Sequence, residues 1–281
     1  MADVAQTLPN TKQAIITAIV QKELAAAAKL LPYVSDLSAF AVKGATSISV
    51  PKLTSFSVTN RAFGASADAT ALTDAKDTIL INKNAYIAWI EDHRDNFQST
   101  IDYRIEASSR AASAHGRYVD AQIVAGLAAV AYGAVNGVAA DVTKSAVLAM
   151  REALLSKNAD ISKMAYIFSV DQEHVLLDIA DFVRADAYGT SNIGSGVIGR
   201  LYGVPVVVSN ALAAQTGYIV EKDGFGVAFQ EGVQMSEQQD NKYGALGVRV
   251  AVDQLFGVGG LQLGVESVGA TKSPLVYSLN P

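Results

Sequence analysis

Hydrophobic positions along the chain follow two spacings, and the switches between them divide it into segments. From Thr11 to Leu31, Ile15, Ile16, Ile19, Leu24 and Leu30 recur at roughly helical intervals ahead of Pro32, which predicts an amphipathic helix. The period then drops to two. Over Thr46–Val58, Ile48 and Val50 alternate with serines, and Phe56 and Val58 keep the same parity beyond Pro51. Over Thr78–Ile90, Ile79 and Ile81 open a second extended run that closes on Tyr86-Ile-Ala-Trp-Ile90, apolar on both faces. A strand of that length spans about 43 Å, against a radius of gyration of about 19 Å for a compact chain of this size. Thr59–Asp77 between the runs is polar and rich in Ala and Gly, with Phe63 and Leu72 as its large apolar groups. The runs read as a long hairpin whose base joins a core and whose tip reaches away from it. A lone hairpin is marginal in water, so the tip is expected to lie on another surface, such as another copy of the chain.

Helical spacing then returns and holds longer than anywhere else. Ser99 is placed to cap a helix with Asp102 at the third position, and Ile101, Ile105, Ala112, His115, Val119, Ile123 and Leu127 fall on one stripe. Some 30 residues at 1.5 Å each give about 45 Å. Gly133 and Gly137 break the pattern. A compact α/β stretch follows: a helix over Thr143–Leu155, a buried strand over Ala165–Val170, and a helix over Asp171–Val183 with Asp171 as its N-cap. A glycine-spaced segment, Ser191–Tyr202, precedes strands at Val204–Val208 and Tyr218–Glu221 and a turn at Asp223-Gly224. Period two resumes at Leu246, Val248, Val250 and Val252, and again at Leu261, Leu263 and Val265, whose natural partners are the hairpin base and the long helix.

Composition narrows the reading. The 281 residues carry 22 Lys+Arg and 27 Asp+Glu, a net charge of −5 with pI near 5.2. No basic cluster marks a nucleic-acid-binding face. Half the residues are hydrophobic and 17% are charged, too apolar for disorder. The absence of cysteine removes disulfides, thiolate metal sites and cysteine nucleophiles together. The first residues lack the basic and apolar regions of a secretory signal, and no run reaches the roughly 18 apolar residues of a membrane span. A soluble chain made in a cytoplasm is expected.

Motifs for chemistry are sparse. Gly194-Ser-Gly-Val-Ile-Gly199 matches G-x-G-x-x-G, but a dinucleotide fold needs a strand before it and a helix after it, whereas a loop precedes and a strand follows. His93 in Glu91-Asp-His-Arg-Asp95 reads as part of a charged connection, His115 as a core or interface residue on the helix stripe, and His174 as first-turn polarity. None has metal-ligand spacing, and no G-x-S-x-G elbow occurs. Neither catalytic residues nor cofactors nor metals are assigned.

The order of elements, together with Ile198-Gly-Arg-Leu-Tyr-Gly-Val-Pro-Val-Val-Val-Ser-Asn-Ala-Leu212, resembles the major capsid proteins of tailed bacteriophages, which share the Hong Kong 97-type α+β fold. In that family a short glycine-bounded segment leads into a strand of the axial domain, and Gly203-Val-Pro-Val-Val-Val-Ser-Asn210 is similar to it. The motif covers some 15 residues of the chain; the order of parts covers nearly all of it. The resemblance implies an N-terminal arm over 1–45, an extended loop over 46–85, a peripheral domain over 86–139 with a spine helix at 97–130, an axial domain over 140–240, and returning peripheral strands over 241–281.

The same resemblance implies a structural coat protein of the virion, assembled in the bacterial cytoplasm as hexamers and pentamers around double-stranded DNA, which is enclosed without sequence-specific binding. It implies a separate scaffolding protein, a portal protein at one vertex, decoration proteins as further partners, no membrane, and a maturation step in which helix and strands bend. Arg61, Asp68, Asp74, Lys76 and Asp77 are the candidates for contacts between subunits, since a tip this polar should use charge to set register. Lys76 is the only lysine in the tip and has no assignable crosslinking partner, so non-covalent assembly is expected. Two alternatives stay open: an encapsulin-like nanocompartment shell, and an α/β enzyme built on residues 140–240.

Overall fold

The computed structural model describes residues 27–53, 60, 63, 74–92, 103–136, 140–179, 183–184, 197–240, 247–262 and 273–280. Most of the expected Thr11–Leu31 helix, the hairpin connection apart from Asn60 and Phe63, Ser99 with Asp102, and His93 lie outside these residues.

Two sheets and one long helix make the body. The first sheet has the order β1-β10-β11-β3-β2, from β1 (Ser35–Asp36), β2 (Ser47–Leu53), β3 (Asp74–Asp92), β10 (Phe225–Asp240) and β11 (Gly247–Gly260). The hairpin pairs as its spacing requires, antiparallel from Ser47 opposite Leu80 to Leu53 opposite Asp74. β3 continues past the end of β2, and its whole second half pairs with β11, from Asn84 opposite Leu255 to Asp92 opposite Gly247. A register shift at Phe256/Gly257 leaves Asn82 without an opposite number and turns the strand over. Ile81, with Ile48 and Ala228, faces the cover formed by Leu37 and Ala41. Beyond the bulge, Trp89 packs with Ala112 of the long helix, Val250 and Val252. One strand thereby serves both faces of the sheet.

The long helix, α1 (Tyr103–Val130), is 28 residues, about 42 Å. The predicted stripe is its buried face: Ala112, His115, Val119, Ile123 and Leu127 are all inaccessible. It runs against β11. Gly126 lets the helix close on the Phe225 ring, where an added Cβ would come within 2.6 Å of Phe225 Cζ.

The second sheet has the order β4-β12-β9-β5-β8-β7-β6, from β4 (Ala131–Ala134), β5 (Met164–Ser169), β6 (Val183–Arg184), β7 (Val197–Leu201), β8 (Val204–Ser209), β9 (Gly217–Glu221) and β12 (Ser273–Ser278). β5 is buried at every position, the mark of a strand covered on both faces. Ala165 and Ile167 join the core shared with Val119, Ile123 and Leu127 of α1. Met164, Tyr166 and Phe168 face the other way, into a second core with Val147, Met150 and Leu154 of α2 (Lys144–Leu155). Thr143 caps α2 by accepting the Ala146 N–H at 3.2 Å.

Several expectations change. The helix predicted over Asp171–Val183 is a single turn at Val170–Gln172 followed by the short α3 (Glu173–Asp178), and Val183 already belongs to β6. Asp171 is not its cap; its carboxylate accepts the Gln215 N–H at 2.7 Å and the Gln172 amide at 3.1 Å, tying the turn to the loop before β9. Leu261 ends outside a strand, and residues 263–272 lie outside the described set. Sheet membership also cuts across the sequence segments. Residues 225–240 pair with β11 in the first sheet, while β12, near the end of the chain, joins β4 and β9 in the second.

Candidate assembly surface

The root of the hairpin is held by a buried ion pair. Lys52 Nζ on β2 lies 3.2 Å from Asp77 Oδ1 on β3 and donates to Gln262 Oε1 at 2.7 Å. Asp77 Oδ2 accepts the Gln262 backbone N–H at 2.6 Å. Lys52 opposes Ala75 in the ladder, so it meets Asp77 diagonally, two residues on. Side-chain exposures of 14% and 9% show that solvent scarcely screens the pair. Three chain segments are locked at one point.

That arrangement revises one of the five candidates. Asp77 is turned inward and spent on Lys52 and Gln262 rather than offered to a neighbour. Lys76, opposite Pro51, is exposed. Asp74 marks the last rung of the ladder, opposite Leu53. Arg61 and Asp68 lie outside the described residues. Phe63, in the connection, stands fully exposed. Lys52 was missed in the sequence because its partner is set by strand register, which spacing alone does not supply.

Near Lys76 opens a cleft of about 590 Å³ between the start of β3, the C-terminal half of α1 and the end of β11. Lys76, Thr78, Asn82, Lys83, Gln122 and Gln262 give it a polar lining, and Ala125 and Ala129 a small-residue wall.

A second joint fixes the start of the described chain to α1. Ala27 sits at the notch left by Gly116, where an added Cβ would lie 2.5 Å from the Ala27 Cβ. One turn on, the buried Asp120 carboxylate accepts two backbone N–H groups, Lys29 at 3.0 Å and Leu30 at 3.1 Å. Burial pushes the Asp120 carboxyl up to about 6, despite those hydrogen bonds and the Lys29 charge. His115, on the same helix, is equally buried. Desolvation holds its imidazole below its ordinary value, with the Val252 backbone and the Asp253 charge offsetting this only in part. Neither ring nitrogen makes a well-formed hydrogen bond.

The sequence motifs for chemistry resolve as structure. The glycine run ends in β7, which turns back into β8 through Tyr202 and Gly203, both at positive φ (51° and 85°). That is a two-residue hairpin, and no helix N-terminus follows it to receive a phosphate. His174 is exposed on the short α3. Among the described residues no group of three or more His, Cys, Asp or Glu could hold a metal ion, and no helix is long and apolar enough to cross a membrane.

A hairpin rooted in one sheet, a long helix whose core draws side chains from both sheets, and a second, mixed sheet together define the Hong Kong 97-type fold of viral coat proteins. The family model described as phage capsid protein matches residues 85–272, well over half of the chain, and the chain belongs to that family. Among solved structures it is similar to one from Mycobacterium phage Che8, at 16% identity and a TM-score of 0.67, covering 89% of each chain. It is also similar to the capsid of cyanophage P-SCSP1u, at 13% identity and a TM-score of 0.63, over 88% of this chain and 85% of that one. The capsid of a native GTA particle is a third such structure, at 14% identity and 0.63, over 90% and 89%. At these identities the likeness is one of fold. No curated protein matches the sequence.

Proposed function

We propose that this chain is the major shell subunit of a tailed bacteriophage, assembling with copies of itself into hexamers and pentamers that enclose double-stranded DNA. The observation that carries this reading is the hairpin: β2 and the first half of β3 form a ladder locked to the body at Lys52, Asp77 and Gln262. A rigid root on a projecting ribbon suits a part that must arrive at a neighbour in one orientation. Exposed Lys76 and Phe63, with Arg61, Asp68 and Asp74, are the residues we assign to that contact. Interfaces of about 1,600 Å² repeated around a ring add up to a durable lattice from individually modest contacts. Scaffolding and portal proteins are the partners this role requires during assembly, in the cytoplasm of the host, and decoration proteins would bind the finished shell.

Electron microscopy of the purified, expressed chain tests the proposal. Closed particles or capsomer sheets are expected; a monomer at every concentration would overturn it. An encapsulin would also form closed particles, but with a cargo enzyme inside and no portal at a vertex.

A further inference from the structure

Strand edges present unpaired N–H and C=O groups, and stable proteins blunt them. This molecule does so at most of its described edges; no strand pairs with the outer side of β10 from Gln234 to Asp240 among the described residues, but the side chains exposed along it are polar. The outer edge of β2 carries Pro51 and Lys52. β10 is covered at its start by β1, gives its Phe229 N–H to Ser38, and is irregular between Phe229 and Gln234. The second sheet ends in the short strands β4 and β6. β3 differs. β2 covers it only as far as Leu80, and Ile81 N–H is taken by Thr46. Among the described residues no strand pairs with its outer edge from Asn82 to Asp92. Asn84-Ala-Tyr-Ile-Ala-Trp-Ile-Glu91 contains neither proline nor glycine and favours strand. It also leaves Tyr86 and Ile90 exposed on the face away from α1.

We propose that this edge pairs with the same edge of a second copy, antiparallel about a two-fold axis, with Lys83 of each copy opposite Glu91 of the other. The proposal rests on the shell reading and says where two subunits join. The charges choose the partner and the register. Lys83 and Glu91 flank the open edge and share the face toward α1, because they stand an even number of positions apart on the strand. Glu91 is steadied there by Trp89 Nε1, which donates to it at 2.8 Å. Lys83 has no carboxylate partner among the described residues. Antiparallel self-pairing with Ile87 opposite itself makes two equivalent Lys83–Glu91 pairs, whereas parallel self-pairing in register sets like charge against like. On the other face the same register sets Tyr86 against Ala88 and Ile90 against Asn84, so the exposed apolar residues of the two copies adjoin. The first sheet would become one sheet across two subunits, the strand-addition mode of recognition.

A charge swap tests this. Lys83 and Glu91 of one chain are about 27 Å apart along β3, so neither can compensate the other within a subunit. K83E or E91K alone is expected to weaken self-association about tenfold, since each creates two like-charged pairs per contact, and the K83E/E91K double variant to restore it to within about twofold of the parent. The chain has no cysteine, so N84C/I90C, with Asn84 and Ile90 directly opposed between copies, should oxidise to disulfide-linked dimers. That assay reads the pairing in solution even where a charge variant fails to fold. Single variants that associate like the parent, a double variant no better than the singles, or N84C/I90C that stays monomeric under oxidation would each overturn the pairing. Any of these alongside intact parental particles leaves the shell reading standing; a parent that never associates removes both.

Discussion

Lys52 and Asp77 show how a charged pair can serve geometry rather than net stability. An ion pair this buried gains little over apolar residues of equal size, yet removing one member strands the other in a poor solvent. Asp77→Ala is expected to cost about 3 kcal/mol in urea denaturation, while the Lys52→Met/Asp77→Leu double variant recovers most of that loss and leaves the hairpin less firmly seated. A different balance operates on α1, where two buried titratable groups pull in opposite directions. Asp120 titrates near 6 in the folded chain and near the ordinary carboxylate value when unfolded. The folded state therefore holds the extra proton between about pH 4 and 6, and this group's contribution to stability rises as pH falls through that window. Glu221, also pushed up by burial, acts in the same sense. His115 does the reverse: its folded value is lowered, so the unfolded chain takes the proton first and stability is lost as pH drops below about 6.5. Melting temperatures measured from pH 7.5 to 4.5 should show His115→Gln less sensitive to acid than the parent, and Asp120→Asn more so. Identical pH profiles for all three proteins would contradict this account.

Elements were legible in the sequence where one short rule decided them. Thr143 followed by the spacing of Ala146, Val147, Met150 and Leu154 specifies α2 almost to the residue, and its cap makes a simple check: Thr143→Ala should cost about 1 kcal/mol in thermal or urea unfolding. β5, β8 and β9 announce themselves as short runs of Val, Ile and Tyr, and the stripe of α1 marks its buried face. The strands that were not legible lack that contrast. β4 is written in Ala, Tyr and Gly. The outer half of β10, Glu231-Gly-Val-Gln-Met-Ser-Glu-Gln-Gln-Asp240, buries only Val233 and Met235, so its alternation is too sparse to read; it is a strand because β11 pairs with it. The Asp171–Val183 prediction failed for a related reason: a good capping residue followed by apolar spacing does not reveal that the carboxylate is already engaged with Gln215. The glycines divide similarly. Gly126→Ala should cost about 1–3 kcal/mol because Phe225 already fills that space. Gly232→Ala, which meets nothing within 4 Å, should be nearly silent in the same measurement.

At the scale of the molecule, the architecture was legible where spacing and length decided it, and the facing of individual charges was not. The hairpin and the long helix follow from spacing and length, but the mixed sheet and the choice of which charges face inward depend on pairing and register between distant strands, as Asp77 demonstrates. If the hairpin meets a neighbour through its charged positions, reversing Lys76 and Asp74 together should reduce closed particles at least tenfold in electron micrographs while the chain remains folded by circular dichroism. Unchanged particle yield would count against that role.

The placement of α1 has one more consequence. Its side chains belong to a core that also contains Ala165, Ile167 and Val207 of the second sheet and Phe256 and Val227 of the first. A force applied at either sheet is therefore passed to the other along a stiff rod about 42 Å long, much as an axle couples two wheels. If copies of the chain tile a shell as proposed, pressure on one part of a subunit would register as tilt in the rest.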